Sequence, residues 1–289
     1  MCVTLGQANL SRTTLYAGKV LTQEHGVVHV CGYQNRVQNL VSRSSDPWQR
    51  RGYGSGKEGL GNAMILPFPA VPGTMSQKNF LTGMDACPHV LEDMADVVAP
   101  FEEDFTFSRG GEKGLNVEIF ELGIYTVVLA QNARLIPDVI GDVSEKKRPP
   151  LKPEIFFSYD EWYPDWPIAL CCFNNEEAAV ATPIMAWYEP LRPEFLFAPA
   201  LDSHTGDVPN IRTRVEVDHT LVVGVEGTGA SVVYQDSIPS HIRPYLPSRV
   251  IGRKIHTLMP NGDFVFRADQ VEKGIFNPMR LLPPGAPRT

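Results

Sequence analysis

The chain has 289 residues, of which 43% are hydrophobic and 20% are charged, and its formal net charge is −7. This composition is typical of a folded globular protein, and the length allows one large domain or two modest ones. The basic residues form no sustained run, which argues against general nucleic-acid binding, and no uninterrupted apolar stretch approaches the ~18 residues of a membrane span.

The N-terminal segment lacks a basic leader followed by a continuous apolar run, so it does not resemble a secretory signal. We therefore expect a soluble, cytoplasmic protein. The odd number of cysteines and the absence of a CxxC pair favour neither a disulfide framework nor a structural zinc site, and no cofactor is predicted. The cysteines are Cys2, Cys31, Cys87, Cys171 and Cys172.

The first third of the chain is rich in β-branched and aromatic residues, in short segments separated by polar residues. Residues 3–10, 13–20 and 27–33 predict a β-meander, and residues 62–66 predict a further strand. Between them, residues 42–61 combine serine, glycine and charge. This composition predicts a long loop, either a lid, an oligomerisation arm or a tolerated surface insertion.

A helical pattern follows in residues 76–98, where apolar residues recur at spacings of three and four. Pro88 lacks a backbone N–H and is expected to divide this segment into two short helices, the second of which covers a sheet. Residues 116–129 predict a strand that breaks near Gly123, and residues 131–140 predict a short helix.

A proline-rich connection after the basic cluster at 146–148 marks the predicted boundary between two halves. Residues 1–148 would form a β-meander with a helical segment, and residues 149–289 a β-rich C-terminal half. One continuous domain is the alternative.

The second half contains many short segments typical of strands, and Asn261-Gly262 predicts a tight hairpin between two of them. The predicted strands are residues 154–159, 168–173, 179–187, 214–223, 250–259 and 263–267. The predicted fold class is therefore α+β and β-rich, with mainly antiparallel sheets, a few covering helices and an αββα-like sandwich as one possible form.

Cys2 is the most informative single residue of the sequence. If Met1 is removed, Cys2 carries both a thiol and a free α-amino group with a pKa of about 7.7–8.0, which can accept the thiol proton near neutral pH. The alternative is that Cys2 is a small apolar residue at the edge of the first strand.

The Met1-Cys2 start, followed by the segment Val3-Thr4-Leu5, resembles that of N-terminal-nucleophile hydrolases. The resemblance implies an N-terminal-cysteine amidohydrolase or acyltransferase in which Cys2 attacks an amide of a small molecule or peptide. Arg12 or Arg36 would then hold a carboxylate or the α-amino group, and Asn62 or Asn35 would donate to the oxyanion. Arg12 at a hairpin turn and Asn62 at a strand start also have purely structural explanations.

A second cluster of polar residues contains Asp202 and His204, and His219 follows in a predicted strand. Carboxylate oxygens and imidazole nitrogens bind divalent metals, so these three residues are candidate ligands of a metal site. The third predicted function is therefore a metal-dependent hydrolase. Asp202 also suits a structural role in a turn.

The segment 159–166 mixes four aromatic residues with three carboxylates. If exposed, it would recognise a cation, a sugar or an arginine of a partner, and if buried, its rings would close a core. This segment, the loop 42–61 and an open sheet edge support the alternative function, a non-catalytic β-rich protein that binds a partner or assembles into a homo-oligomer.

Overall fold

The structure is a computed structural model that describes residues 3–6, 9–38, 61–98, 117–174 and 182–287, without the side chains of residues 9–12 and 36–38. The predicted loop at 42–61 lies almost entirely outside these ranges. No helix in the described ranges is both long enough and apolar enough to span a bilayer.

Fourteen strands, four α-helices and several three-residue 3₁₀ helices make up the regular structure of the described residues. The strands are β1 (Val3–Thr4), β2 (Asn9–Thr22), β3 (Gly26–Gln38), β4 (Asn62–Pro67), β5 (Val117–Leu122), β6 (Tyr125–Ala130), β7 (Ile168–Phe173), β8 (Ile184–Tyr188), β9 (Phe195–Ala198), β10 (Arg214–Val225), β11 (Ala230–Ser231), β12 (Arg249–Pro260), β13 (Asp263–Arg267) and β14 (Met279–Leu281). The helices are α1 (Val90–Asp96), α2 (Ile136–Val139), α3 (Pro153–Trp162) and α4 (Ala268–Val271).

The strands form three sheets. The first has the order β1-β4-β7-β6-β5, the second β11-β12-β10-β2-β3-β8, and the third β14-β13-β9. All pairs are antiparallel except β10 and β2, which run parallel. The predicted fold class, β-rich α+β with mainly antiparallel sheets and few helices, is confirmed.

The main core lies between the first two sheets, and helices cover their outer faces. Along β7, Cys171 faces the core between the sheets, whereas Cys172 faces the core under α2 and α3. This alternation follows from the period of two along a strand. On the outer face of the second sheet, α1 packs Val90 and Met94 against Val222. The layers therefore follow the order helix, sheet, sheet, helix.

Residues of both halves of the chain share these sheets. In the first sheet, β7 pairs with β4 and β6, and in the second, β10 pairs with β2. The boundary at residue 148 stays a prediction.

The predicted strand at 154–159 is wrong, because these residues lie in α3. Pro153 is the first residue of this helix, where its fixed φ is favourable and its missing N–H costs nothing. The residues Ile155, Phe156, Tyr159 and Trp162 are buried. Their spacing matches one face of a helix. The aromatic segment thus contributes mainly to a core.

The predicted hairpin at Asn261-Gly262 is also wrong, because β12 and β13 belong to different sheets. The side chain of Asn261 instead accepts a hydrogen bond from the N–H of Asp202 (2.8 Å) and donates to the carbonyl oxygens of Asp202 (2.9 Å) and Asn210 (3.2 Å). These bonds hold the chain at a crossing from one sheet to the next.

The predicted break at Gly123 is confirmed. Gly123 has φ 57° and connects β5 to β6 in a tight turn. A positive φ is accessible to glycine without steric cost.

Candidate functional site

Of the predicted catalytic residues, the structure describes the side chain of Asn62. Cys2 lies outside the described residues, as do the side chains of Arg12 and Arg36, which belong to the neighbouring strands β2 and β3. Asn62 is described and is the first residue of β4. The role of these residues in catalysis stays a prediction.

The amide oxygen of Asn62 has a structural function. It accepts hydrogen bonds from the backbone N–H groups of Gly6 (2.7 Å) and Ala63 (2.8 Å). Asn62 is buried. Since β1 pairs with β4, these bonds fix the chain just after β1 against the beginning of β4.

The four described cysteines are all buried and free of disulfides. Burial raises the pKa of Cys31 and Cys172 to about 12, and burial together with the nearby carboxylates of Asp236 and Asp85 raises the pKa of Cys87. A raised pKa disfavours the thiolate, which is the nucleophilic form of cysteine. The thiols of Cys31, Cys87 and Cys172 are therefore poor nucleophiles.

Two of the three predicted metal ligands lie together. His204 Nε2 is 3.2 Å from Asp202 Oδ1. Burial lowers the pKa of His204 and raises that of Asp202, and the attraction between the two charged forms opposes both shifts. Ser203 lies between Asp202 and His204 in the sequence, and its carbonyl oxygen accepts a hydrogen bond from the N–H of Thr4 in β1 at 2.9 Å. Asp202 and His204 therefore flank a residue that contacts β1.

His219 does not join this pair. Its ring is buried edge-on against Phe264, with centroids 6.4 Å apart. The described ranges contain no group of three or more His, Cys, Asp or Glu side chains placed to hold a metal ion. The metal site stays a prediction.

A buried polar network that the sequence did not predict surrounds Asp263. The carboxylate accepts hydrogen bonds from the hydroxyl of Tyr163 (2.6 Å) and from the N–H groups of Ala200 (2.8 Å) and Leu201 (3.0 Å). Arg280 packs over the ring of Phe264 at 4.4 Å, and burial lowers its pKa to about 10. The network joins three segments distant in the sequence, which is a structural role.

The surface at the tip of the β2–β3 hairpin forms an apolar groove of about 260 Å³. We call it the hairpin-tip groove and define it by Leu21, Val27, Leu196, Val225, Ala268 and Val271. Leu21 and Val27 lie directly opposite each other in the hairpin and are 76% and 43% exposed. In the sequence, both residues resemble apolar core residues of a strand, so this surface was not predicted.

A salt bridge lies along one side of the groove. The ammonium group of Lys19 is 2.6 Å from the carboxylate of Glu272, and Glu226 also lines the groove. The groove thus combines an apolar centre with charged margins. Protein interfaces commonly have this arrangement.

No family model matches the chain, and no curated protein matches it. Solved structures that resemble it are of baculovirus P35 (11% identity, 93% of this chain and 92% of that chain covered, TM-score 0.42) and of a mutated baculovirus P35 after caspase cleavage (10% identity, 89% and 90% covered, TM-score 0.37). A third is of a caspase-8/P35 complex (12% identity, 74% and 63% covered, TM-score 0.33).

The predicted amidohydrolase or acyltransferase function is corrected by this finding. One of the similar structures is of a complex with caspase-8, and another is of a mutated P35 after caspase cleavage.

Proposed function

We propose that this chain is a non-catalytic protein that binds another protein through the hairpin-tip groove. The partner would place an aliphatic or aromatic side chain between Leu21 and the floor of the groove. The observation that carries this proposal is the exposure of Leu21 and Val27 side by side above apolar residues.

The exposed side chains of Leu21 and Val27 line the same groove as residues of the central core. Leu196, Val225 and Val271, which form the floor of the groove, belong to the core between the first two sheets. Fully burying a side chain such as leucine contributes roughly 1.5–3 kcal/mol. A partner that covers Leu21 and Val27 would gain this contribution at a site that is already shaped by packed residues.

The charged margin would orient the partner. Because Lys19 and Glu272 already pair with each other, a partner gains little from either charge alone. The apolar centre would therefore provide most of the affinity, and the margin would exclude water from it.

The first experiment uses caspase-8, the protein bound in one of the similar structures, as the probe. Biolayer interferometry with the immobilised full chain should show binding that Leu21→Asp weakens at least about tenfold, or about 1.4 kcal/mol. The matched control is Val233→Asp, since Val233 is 82% exposed and lies outside the groove. The mass of the bound probe should be unchanged, as expected of a non-catalytic interaction.

If caspase-8 does not bind the wild-type chain, that partner is excluded and the groove is tested without it. A photo-crosslinking residue at position 21 should then capture a protein from cell extract, and the same residue at position 233 should not. Equal capture at both positions would contradict the proposal.

A further inference from the structure

The outer edge of β12 is a second surface, separate from the hairpin-tip groove. On one side, β12 pairs with β10 over its whole length, from Arg249 to Pro260. On the other side, β11 pairs with Arg249 and Val250. In the described part of the chain, no strand pairs with residues 251–260 on that side.

The hydrogen-bonding register shows which backbone groups point outward. The N–H of Asn261 donates to the carbonyl oxygen of Thr213 at 2.9 Å, and this pair continues the register of β10 and β12. In an antiparallel pair, such hydrogen-bonded positions alternate with positions whose backbone groups face away. The N–H and C=O groups of Lys254, His256 and Leu258 therefore face outward.

Side chains already occupy part of this edge. The guanidinium group of Arg214 donates to the carbonyl oxygen of Leu258, and that of Arg280 donates to the carbonyl oxygen of Pro260 at 3.0 Å. The outward backbone groups of Lys254 and His256 have no hydrogen-bond partner among the described residues. Residues 256–258 are all exposed, so the strand is accessible here from its edge and from its faces.

The charges along this edge select the kind of strand that it accepts. The positive groups lie at the edge itself, since Lys254 is an exposed residue of β12 and the guanidinium group of Arg214 binds the outward carbonyl oxygen of Leu258. The carboxylates of Glu216 and Asp218 lie one strand further in, on β10, each 3.7 Å from the ring of His256. A second copy paired about His256 would place its Lys254 opposite Leu258, where the guanidinium group of Arg214 already binds the outward carbonyl oxygen. Like charges at neighbouring positions are unfavourable, so self-pairing is disfavoured.

We propose that the outer edge of β12 binds an extended, acidic segment of a partner protein as an additional antiparallel strand. Main-chain hydrogen bonds to Lys254 and His256 would provide affinity, and carboxylates of the segment near Lys254 and Arg214 would provide specificity. Addition of a strand to an open sheet edge is an established mode of peptide recognition. This inference does not depend on the hairpin-tip groove.

The test uses the full chain and a short fluorescent peptide in which Thr and Glu alternate, with a peptide of alternating Thr and Lys as its counterpart. Fluorescence anisotropy should show binding of the Glu peptide, weaker binding at high salt, and at least about tenfold weaker binding of the Lys peptide. Equal affinity for both peptides, or binding of neither, would overturn the proposal.

Two variants separate backbone from side-chain effects. His256→Pro removes an outward N–H without removing a hydrogen bond to β10. An edge strand tolerates proline at such a position. It should reduce binding of the Glu peptide at least about tenfold, whereas the matched variant His256→Ala should retain it. Thermal melting followed by circular dichroism checks that both variants fold.

Two further variants keep the proposal falsifiable if His256→Pro does not fold. Lys254→Glu should reverse the preference from the Glu peptide to the Lys peptide. Leu21→Asp in the hairpin-tip groove should leave peptide binding unchanged, so failure of one surface does not imply failure of the other. A concentration-dependent dimer in sedimentation that Lys254→Glu changes would overturn the proposal in favour of self-pairing.

Discussion

The hydroxyl of Tyr163 donates a 2.6 Å hydrogen bond to Oδ2 of Asp263, a residue one hundred positions later in the chain. Tyr163 follows α3 directly, and Asp263 is the first residue of β13. The bond thus attaches the helical layer to the third sheet. Both groups are buried, and burial raises the pKa of each.

Replacing Asp263 by alanine should strongly destabilise the fold. The change leaves the Tyr163 hydroxyl and the N–H groups of Ala200 and Leu201 without their acceptor, at a cost of about 1–3 kcal/mol for each buried group. We expect urea unfolding to show a loss of at least about 3 kcal/mol. Asp269→Ala, which removes an exposed carboxylate paired with Arg267, is the control and should cost below about 1 kcal/mol. Equal losses for the two variants would contradict the structural role of Asp263.

His29 should make the fold less stable in mild acid. Burial and, to a smaller extent, the charge of Lys19 lower the pKa of His29 from 6.5 to about 4. The unfolded chain therefore takes up a proton near pH 6.5, whereas the folded chain does not until about pH 4. The stability contributed by neutral His29 is complete above pH 6.5 and falls by up to about 3 kcal/mol as the pH decreases to about 4.

The variant His29→Leu isolates this effect from other acidic groups. Urea unfolding at neutral pH and near pH 4.5 should show a smaller loss of stability for His29→Leu than for the wild type. Equal losses of stability on acidification in the wild type and in His29→Leu would show that His29 is not the group responsible for the acid sensitivity.

The buried cysteines should resist thiol reagents while the protein is folded. Cys31, Cys87, Cys171 and Cys172 are buried, and the pKa values of Cys31 and Cys172 are about 12. Ellman's reagent reacts with accessible thiolate, so these thiols should react only as fast as the protein opens. Mass spectrometry should find all four modified after denaturation. Rapid modification of any of them in the native protein would contradict its placement.

Gly206 should tolerate alanine poorly. It has φ 72°, and a Cβ atom there would lie 2.4 Å from the carbonyl oxygen of Leu5. Gly26 has a similar φ of 66° but no heavy atom within 4 Å of the same position, so Gly26→Ala measures the backbone strain alone. We expect Gly206→Ala to lower the melting temperature more than Gly26→Ala. Equal shifts would mean that the contact with Leu5 relaxes without cost.

Strands whose side chains point alternately into two cores were predicted more successfully than elements whose conformation depends on contacts with distant residues. Cys171 and Cys172 follow the simple alternation of a strand buried on both faces. The segment 154–159 is apolar enough to fit either a strand or a helix, and tertiary packing against β7 selected the helix. The hairpin predicted at Asn261 is wrong because its side chain bonds to residues 59 and 51 positions away.

The candidate surfaces were harder to predict than the fold. Leu21 follows the same alternation along β2 as the buried residues Leu15 and Ala17, but it lies at the tip of the hairpin and is 76% exposed. The general idea of an open sheet edge was predicted, but its identity as β12 depends on strand order, which one sequence does not reveal. The prediction of catalytic residues rested on a resemblance of the first few residues, and the proposed function does not use them.

The parallel pairing of β2 with β10 has a consequence for synthesis on the ribosome. The β2–β3 hairpin can form before residues 219–223 of β10, which pair with β2, have been synthesised. Until β10 is synthesised, the backbone groups on one edge of β2 have no partner strand, and the second sheet is incomplete. Such non-local pairing slows folding and extends the time in which an exposed edge can associate wrongly, so chaperone dependence should concentrate in the interval before β10 is translated.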